Sequence, residues 1–303
     1  MKTAAKILIT GISGFLGWNL FDYLAGRFPI SGTYNRHRPQ LPPERAFRLD
    51  LGDPEAAGEI FRQLSPGVII HCAAVTSPAA CLADPELARE VNVAGTERVA
   101  RAAAAAGARM IYISTDRVFD GKRGDYREAD PPNPLGSYGR SKLAGENLVR
   151  EIVPDHLVLR LPLMYGPPSP FSGSFVEFMR EGFGGKTALN LFTDQFRTPL
   201  YVEDAGRGIE LILKHPEMTG LYHLGGSERI DRAEFGYRMA EVFNCDPAVI
   251  NPVRMADQPH YPPTPPDASL NSDRFFRETG FRGRGVNEGL RALKTATRRK
   301  TGN

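Results

Sequence analysis

Cysteine is scarce, with three in 303 residues. Cys72, Cys81 and Cys245 form no metal-like or redox-like spacing, and so sparse and odd a set suits a reducing compartment where thiols stay free. The six histidines are scattered. No His-Glu-x-x-His pattern occurs, so no metal site is expected. No apolar run approaches the length that spans a bilayer. The N-terminus runs straight into the strand-like Lys6-Ile7-Leu8-Ile9-Thr10, without the apolar run and cleavage site of a signal peptide. The expected location is the cytoplasm, with no membrane partner. Neither sign of charge dominates: 38 Lys and Arg face 35 Asp and Glu, a net charge of +3. That balance does not argue for nucleic acid as a partner. The basic end, Arg298-Arg299-Lys300, reads as a solvated tail. Internal repeats are absent too.

What is present is an alternation. Short apolar runs at 6–10, 30–34, 46–49, 67–72, 109–114 and 157–161 read as strands, mostly β-branched or Leu-rich, as strands buried on both faces tend to be. Helical patterns at 14–26, 54–64, 85–106 and 138–152 separate them. Ala102 to Ala106 is a run of the best helix former and suits close packing on a sheet. This order predicts an α/β fold with a doubly wound parallel sheet, the Rossmann arrangement. The second half is richer in Pro and Gly, as in Gly166-Pro167-Pro168 and Tyr261 to Pro266. Its helices are expected at 172–182, 203–214, 231–243 and 286–297. The expected division is a dinucleotide-binding domain over 1–160 and a smaller, mostly helical substrate domain over 161–303. Return segments to the sheet are expected near 190–225, with 221–224 a candidate strand.

The first strand leads into Thr10-Gly11-Ile12-Ser13-Gly14-Phe15-Leu16-Gly17, which opens the first long helix. Glycine serves steric ends here: a tight turn, close approach of backbone to a pyrophosphate, and close seating of the helix on the strand. The helix N-terminus offers unpaired N–H groups and positive potential to phosphates. The spacing is Gly-x-x-Gly-x-x-Gly rather than the standard fingerprint, so its weight comes from the strand–helix junction it occupies. Ligands of open parallel sheets lie beyond the carboxyl ends of the strands. Those ends carry Asn35-Arg36, Asp50-Leu51, Ala73-Ala74-Val75, Ser114-Thr115 and Leu161-Pro162. Asp50 can accept a hydrogen bond from an adenine amino group, or serve a turn ahead of the helix at 54. About twenty residues past the glycines, where an acid would bind the ribose hydroxyls of NAD, stand Asn35, Arg36, His37 and Arg38. A guanidinium pairs with a phosphate. NADP(H) is therefore favoured, with NAD(H) kept as the alternative.

Tyr138 and Lys142 lie four apart at the start of a helix and share one face. The Lys142 ammonium is expected to lower the phenol's pKa and to bond the nicotinamide ribose. Tyr138 then acts as general acid in carbonyl reduction, or as base in the reverse direction. Ser114 or Thr115, at the end of the preceding strand, would hydrogen-bond the reacting oxygen. Tyr-x-x-x-Lys is a common accident; its position after this strand, in a chain with the glycine turn, makes it informative.

Thr10 to Gly17, Ser114-Thr115-Asp116 with Val118-Phe119-Asp120-Gly121, and Tyr138-Gly139-x-Ser141-Lys142-Leu143-Ala144-Gly145-Glu146 together resemble the dTDP-4-dehydrorhamnose reductase family of extended short-chain dehydrogenases. Val91-Asn92-Val93, Asp194-Gln195 and Thr198 to Asp204 extend the likeness along most of the chain. The resemblance implies an NADPH-dependent reductase of a 4-keto nucleotide sugar, with Thr115, Tyr138 and Lys142 as the catalytic group. It implies that Gly11, Gly14, Phe15 and Leu16 hold the pyrophosphate, with Ser13 in the same turn. Ala73, Ala74 and Val75 would lie along the cofactor and Pro162 near the nicotinamide. A homodimer through helices 85–106 and 138–152 would be typical. Two departures fall on the sugar side: Arg117 stands where the family often has Tyr, and Leu163 where it tends to have Trp. Arg117 and Arg197 are candidates for an anionic substrate group such as a phosphate, or for structural ion pairs. Two other readings stay open. One is a sugar epimerase or dehydratase of the same superfamily. The other is a non-catalytic NADP-binding subunit like the regulatory beta subunit of methionine adenosyltransferase.

Overall fold

The computed structural model describes residues 5–258 and 262–301. Tyr261 and the side chains of Arg299 and Lys300 lie outside the described residues. Seven strands form one all-parallel sheet in the order β11-β6-β5-β4-β1-β2-β3. These are β1 (Ile7–Thr10), β2 (Ile30–Tyr34), β3 (Ala46–Arg48), β4 (Val68–His71), β5 (Arg109–Thr115), β6 (His156–Leu161) and β11 (Gly220–His223). The six strands expected in the first half are all present, and the segment at 221–224 does return, pairing with β6. The order reverses at β1: β2 and β3 lie to one side, β4 to β6 and β11 to the other. That switch opens a crevice at the carboxyl ends of β1 and β4. The fold is a doubly wound Rossmann α/β fold.

Alternation along the strands supplies two apolar faces. Ile7 and Ile9 join Ile70, Ile111, Leu157 and Leu159 beneath α1 (Phe15–Leu24) and α8 (Val202–Lys214). Leu8, Ile69, Met110 and Val158 face the other way, against α2 (Ala56–Leu64), α5 (Gly95–Ala105) and α6 (Ser137–Ile152). A third core gathers the second half of the chain. It holds Tyr165, Val176 and Met179 from the segment around α7 (Phe175–Gly185), Phe235 and Met239 of α9 (Arg232–Phe243), and Leu290 and Leu293 of α11 (Val286–Thr301). Three two-stranded ladders brace this half: β7 (Met164–Tyr165) with β10 (Leu200–Tyr201), β8 (Leu189–Phe192) with β13 (Ile250–Val253), and β9 (Phe196–Arg197) with β12 (Ile230–Asp231).

Two short helices escape the sequence pattern: α3 (Pro78–Ala83) and α10 (Asp273–Thr279). Each has too few turns for an apolar period to show. The expected helix at 85–106 is α4 (Pro85–Arg89), a π-helical turn over Glu90–Ala94, and then α5. Such turns often mark functional positions. This one carries Asn92, which is buried. Its Oδ1 accepts from Val75 N at 2.8 Å, and its Nδ2 donates to Val75 O and Ser141 Oγ, both at 3.0 Å. Asn92 therefore ties the loop after β4 to helix α6.

Candidate active site

The crevice at the strand ends is one cavity of about 710 Å³, within the size range of ligand sites. The turn after β1 forms its floor. Gly11 has φ +75°, and a Cβ there would meet Ala73 Cα at 2.8 Å; a Cβ on Gly17 would meet Gly11 O at 2.3 Å. Only glycine admits this crossing of β1, α1 and the loop after β4. Gly14 caps α1 without any side-chain hydrogen bond, and no acid stands in the first turn. The first N–H groups of α1 thus face the cavity with positive potential. Gly11, Ser13, Gly14, Phe15 and Leu16 all line it.

Beyond this turn the cavity runs to the end of β2. Asn35 and Arg36 line it and are exposed, and His37 joins them. Arg38 does not line the cavity. Asp50 and Leu51 form the neighbouring wall. Asp50 Oδ1 already accepts from Gly52 N at 3.0 Å, so the turn role is filled, though the residue still faces the cavity. A segment from the second half closes over this end. Ser169 Oγ donates to Ser13 O (3.1 Å), Asn19 Nδ2 donates to Pro167 O (3.0 Å), and Phe171 stacks on His37 with centroids 5.3 Å apart.

At the other end Ala73, Ala74 and Val75 form one wall and Pro162 the opposite one, with Ser114, Thr115, Tyr138 and Lys142 between. Ser114 and Thr115 have separate tasks. Ser114 Oγ donates to Glu146 Oε1 at 2.5 Å, and Glu146 is in turn held by Arg160 through bonds of 2.8 and 2.7 Å. Thr115 Oγ1 donates to Asp116 Oδ1 at 3.0 Å, and its hydroxyl lies close enough to the Tyr138 phenol to oppose the rise in that group's pKa. Of the two hydroxyls, Thr115 is therefore the one beside the acid. Burial pushes the Tyr138 phenol up to about 12; the Arg117 charge and the Thr115 hydroxyl hold it back, while Asp116 and Cys81 add to the rise. Burial also takes Lys142 down to about 7, partly offset by Cys72 and Glu146. Its Nζ sits 4.0 Å from the centroid of the Tyr112 ring.

This corrects one expectation. The cation that lowers the phenol's pKa is Arg117, not Lys142. Lys142 is itself stripped of water and turned onto the Tyr112 face. Arg197 also differs from the anion-binding option. It is buried and pairs with Asp116 (Nε to Oδ2, 3.1 Å), a charge contact rather than an aligned hydrogen bond. Its Nη2 donates to Pro265 O at 2.9 Å, and Phe196 O and Pro266 O accept from Nη1. Arg197 lines the cavity with its guanidinium held by the protein.

A family model, the RmlD substrate binding domain, matches residues 5–298. The chain belongs to the RmlD substrate binding domain family. It is similar to methionine adenosyltransferase 2 subunit beta of Xenopus laevis, 36% identical over 262 residues, covering 84% of this chain and 76% of the relative. It is also similar to the probable low-salt glycan biosynthesis reductase Agl14 of Haloferax volcanii, 30% identical over 292 residues, covering 95% and 97%. Its fold matches the crystal structure of dTDP-4-dehydrorhamnose reductase from Bacillus anthracis in complex with NADP. There the TM-score is 0.82, with 26% identity and coverage of 96% and 99%.

In this RmlD-family chain the cavity also takes residues that motif reading passes over. His37, Ser172 and Gly173 close the Arg36 end, and Arg232 closes the opposite one. Arg232 Nε donates to Gln195 Oε1 at 2.8 Å and its guanidinium lies 4.4 Å over the Phe175 ring. Ser172 and Gly173 fall in the helix expected from 172, but the Ser174–Glu177 capping box starts α7 at Phe175 and leaves both in the loop that lines the cavity. Asn92 lies in the Val91-Asn92-Val93 run, where an unexplained polar residue inside an apolar helix pattern was the available sign. The cradle residues fit a nicotinamide dinucleotide: glycines too tight for any Cβ, an uncapped helix N-terminus, and a basic strand end in place of an acid.

Proposed function

We propose that this protein is an NADP(H)-dependent reductase of a keto group on a nucleotide-sugar-like substrate. One observation carries the reading: Thr115, Tyr138 and Lys142 face the same cavity as the glycine turn and Arg36. The bound dinucleotide supplies the hydride. The chain's own residues do the rest. Gly11 to Leu16 and the start of α1 hold the pyrophosphate, and Arg36 pairs with the 2′-phosphate. Tyr138 gives its phenolic proton to the carbonyl oxygen as the carbon becomes a carbinol. Thr115 orients that oxygen and the phenol together. Lys142, whose charged form burial disfavours, would hold the ribose hydroxyls, and such bonds would favour its charged form. NADP(H) is favoured over NAD(H) because the end of β2 offers Arg36 and no carboxylate.

The test is NADPH oxidation followed at the cofactor's near-ultraviolet absorbance, with dTDP-4-dehydro-6-deoxy-L-mannose as substrate. Tyr138→Phe should lower turnover by roughly 10²- to 10⁴-fold while NADPH affinity stays unchanged. Unchanged turnover in that variant would refute the mechanism.

A second reading has its own support. The 36% identity over 84% of the chain is to a subunit of methionine adenosyltransferase 2. On that reading the dinucleotide is a structural ligand and the protein acts through a partner chain. Tyr138→Phe would then leave its action on such a partner intact. The set of Thr115, Tyr138 and Lys142 in one cavity favours the reductase.

A further inference from the structure

The arginines at the substrate end of the cavity are not alike. Arg197 pairs with Asp116 and with backbone carbonyls of the 265–266 segment. Arg232 holds Gln195 and lies over Phe175. Arg117 lines the cavity beside Thr115 and Tyr138, partly exposed, and its guanidinium has no hydrogen bond or ion pair among the described residues. Its backbone is fixed. Arg117 N donates to Thr115 Oγ1 at 3.2 Å, and Arg117 O lies so close to α6 that a Cβ on Gly139 would approach it to 2.2 Å. The side chain therefore starts from a rigid point next to the acid and lines the cavity there.

The carboxylates of the wall offer Arg117 nothing. Asp50 and Asp116 are the two acids that line the cavity. Asp50 is at the far, Arg36 end, and Asp116 is taken by Arg197 and Thr115. A cation with no hydrogen-bond or ion-pair partner among the described residues thus lines the cavity beside Tyr138. A guanidinium is suited to a planar oxyanion through two parallel hydrogen bonds. The diphosphate of a nucleotide sugar is several bonds from the reacting carbon, so the anion that meets Arg117 belongs to the sugar itself.

We infer that Arg117 makes this site select keto sugars that carry a carboxylate close to the reacting carbon, over their neutral counterparts. The inference rests on the nucleotide-sugar reading above and narrows it to acidic sugars. The sensitivity of the Tyr138 phenol to the Arg117 charge agrees with the two groups lying side by side.

The experiment is calorimetric titration of the full-length protein saturated with NADP⁺. The probes are UDP-glucuronate and UDP-glucose, which share nucleotide and ring and differ in a carboxylate for a hydroxymethyl group. Wild type should bind the acid tighter by roughly tenfold to a hundredfold, the range of a charged hydrogen-bonded pair. Arg117→Gln should lose that preference, and Arg117→Lys should restore part of it. Unchanged NADP⁺ affinity and thermal midpoint in both variants show that the fold is intact. Equal affinity of wild type for the two probes, or a preference that survives Arg117→Gln, overturns the inference. Binding of neither probe by an NADP⁺-loaded protein also overturns the inference, while the nucleotide-sugar reading stands or falls separately on the NADPH-oxidation assay with Tyr138→Phe.

Discussion

Replacing Lys142 with methionine should make the cofactor-free protein more stable while abolishing turnover. The amine is buried, and burial lowers it from 10.5 to about 7. Each unit is worth about 1.4 kcal/mol, so the charged form carries a penalty of roughly 5 kcal/mol in the folded chain. Relaxation of the surroundings reduces this, and a gain of at least about 2 kcal/mol is expected at pH 6. Methionine keeps the stem and the contact with the Tyr112 ring. The sign follows from linkage. Below about pH 7 both folded and unfolded chains hold the proton and the penalty is complete. From there to 10.5 the folded chain has released it and the unfolded chain has not, so wild-type stability rises with pH by up to about 1.4 kcal/mol per unit. Lys142→Met lacks this slope. Urea denaturation of both proteins at pH 6, 7 and 8.5 reads the difference; thiol ionisation in the unfolded chain, already under way at pH 8.5, is common to both proteins and cancels in the comparison. The variant's advantage should be largest at pH 6 and should shrink by about 2 kcal/mol between pH 6 and 8.5. No advantage at pH 6, or one that is flat with pH, would refute the assignment of Lys142 as a desolvated amine.

Two further changes probe the surrounding residues. Arg36→Glu should weaken NADPH much more than NADH, because only the former has a 2′-phosphate for the guanidinium to meet; fluorescence titration with each dinucleotide would show equal losses if Arg36 has no such role. Glu146→Gln leaves the buried Arg160 short of its carboxylate and should cost about 3–5 kcal/mol in urea denaturation, with Glu146→Gln/Arg160→Met recovering part of the loss. A loss under 1 kcal/mol would mean that the pair is not the anchor of Ser114.

The strands of the first half were legible because both-face burial leaves near-continuous apolar runs, and the glycine turn was legible because tight backbone crossings accept one residue type. The Tyr138–Lys142 pair was legible for a similar reason: positions four apart on a helix share a face whatever surrounds it. The fate of the charges was not. Arg117 and Arg197 had the same two options on paper. Packing brought Asp116 and the carbonyls of 265–266 to Arg197 and no described partner to Arg117, and those partners come from segments as many as 81 residues away. On strand position alone Ser114 and Thr115 were interchangeable, with only the family resemblance pointing to Thr115, until Glu146, on another element, claimed the serine. The Pro- and Gly-rich stretch from 166 read as a loop only as far as a helix expected at 172, and only the contacts of this segment with Ser13, Asn19 and His37 show that it crosses the cavity.

Local chemistry therefore settled the strands of the first half, the sheet type and the glycine-turn and strand-end residues of the crevice, since each depends on neighbours within a turn or a strand. Tertiary packing decided which hydroxyl stands beside the acid, which arginine keeps an open guanidinium, and which cation tunes the phenol. Electrostatics in a buried site depends on distance and solvent exclusion, and both are set by groups that chain order does not bring together.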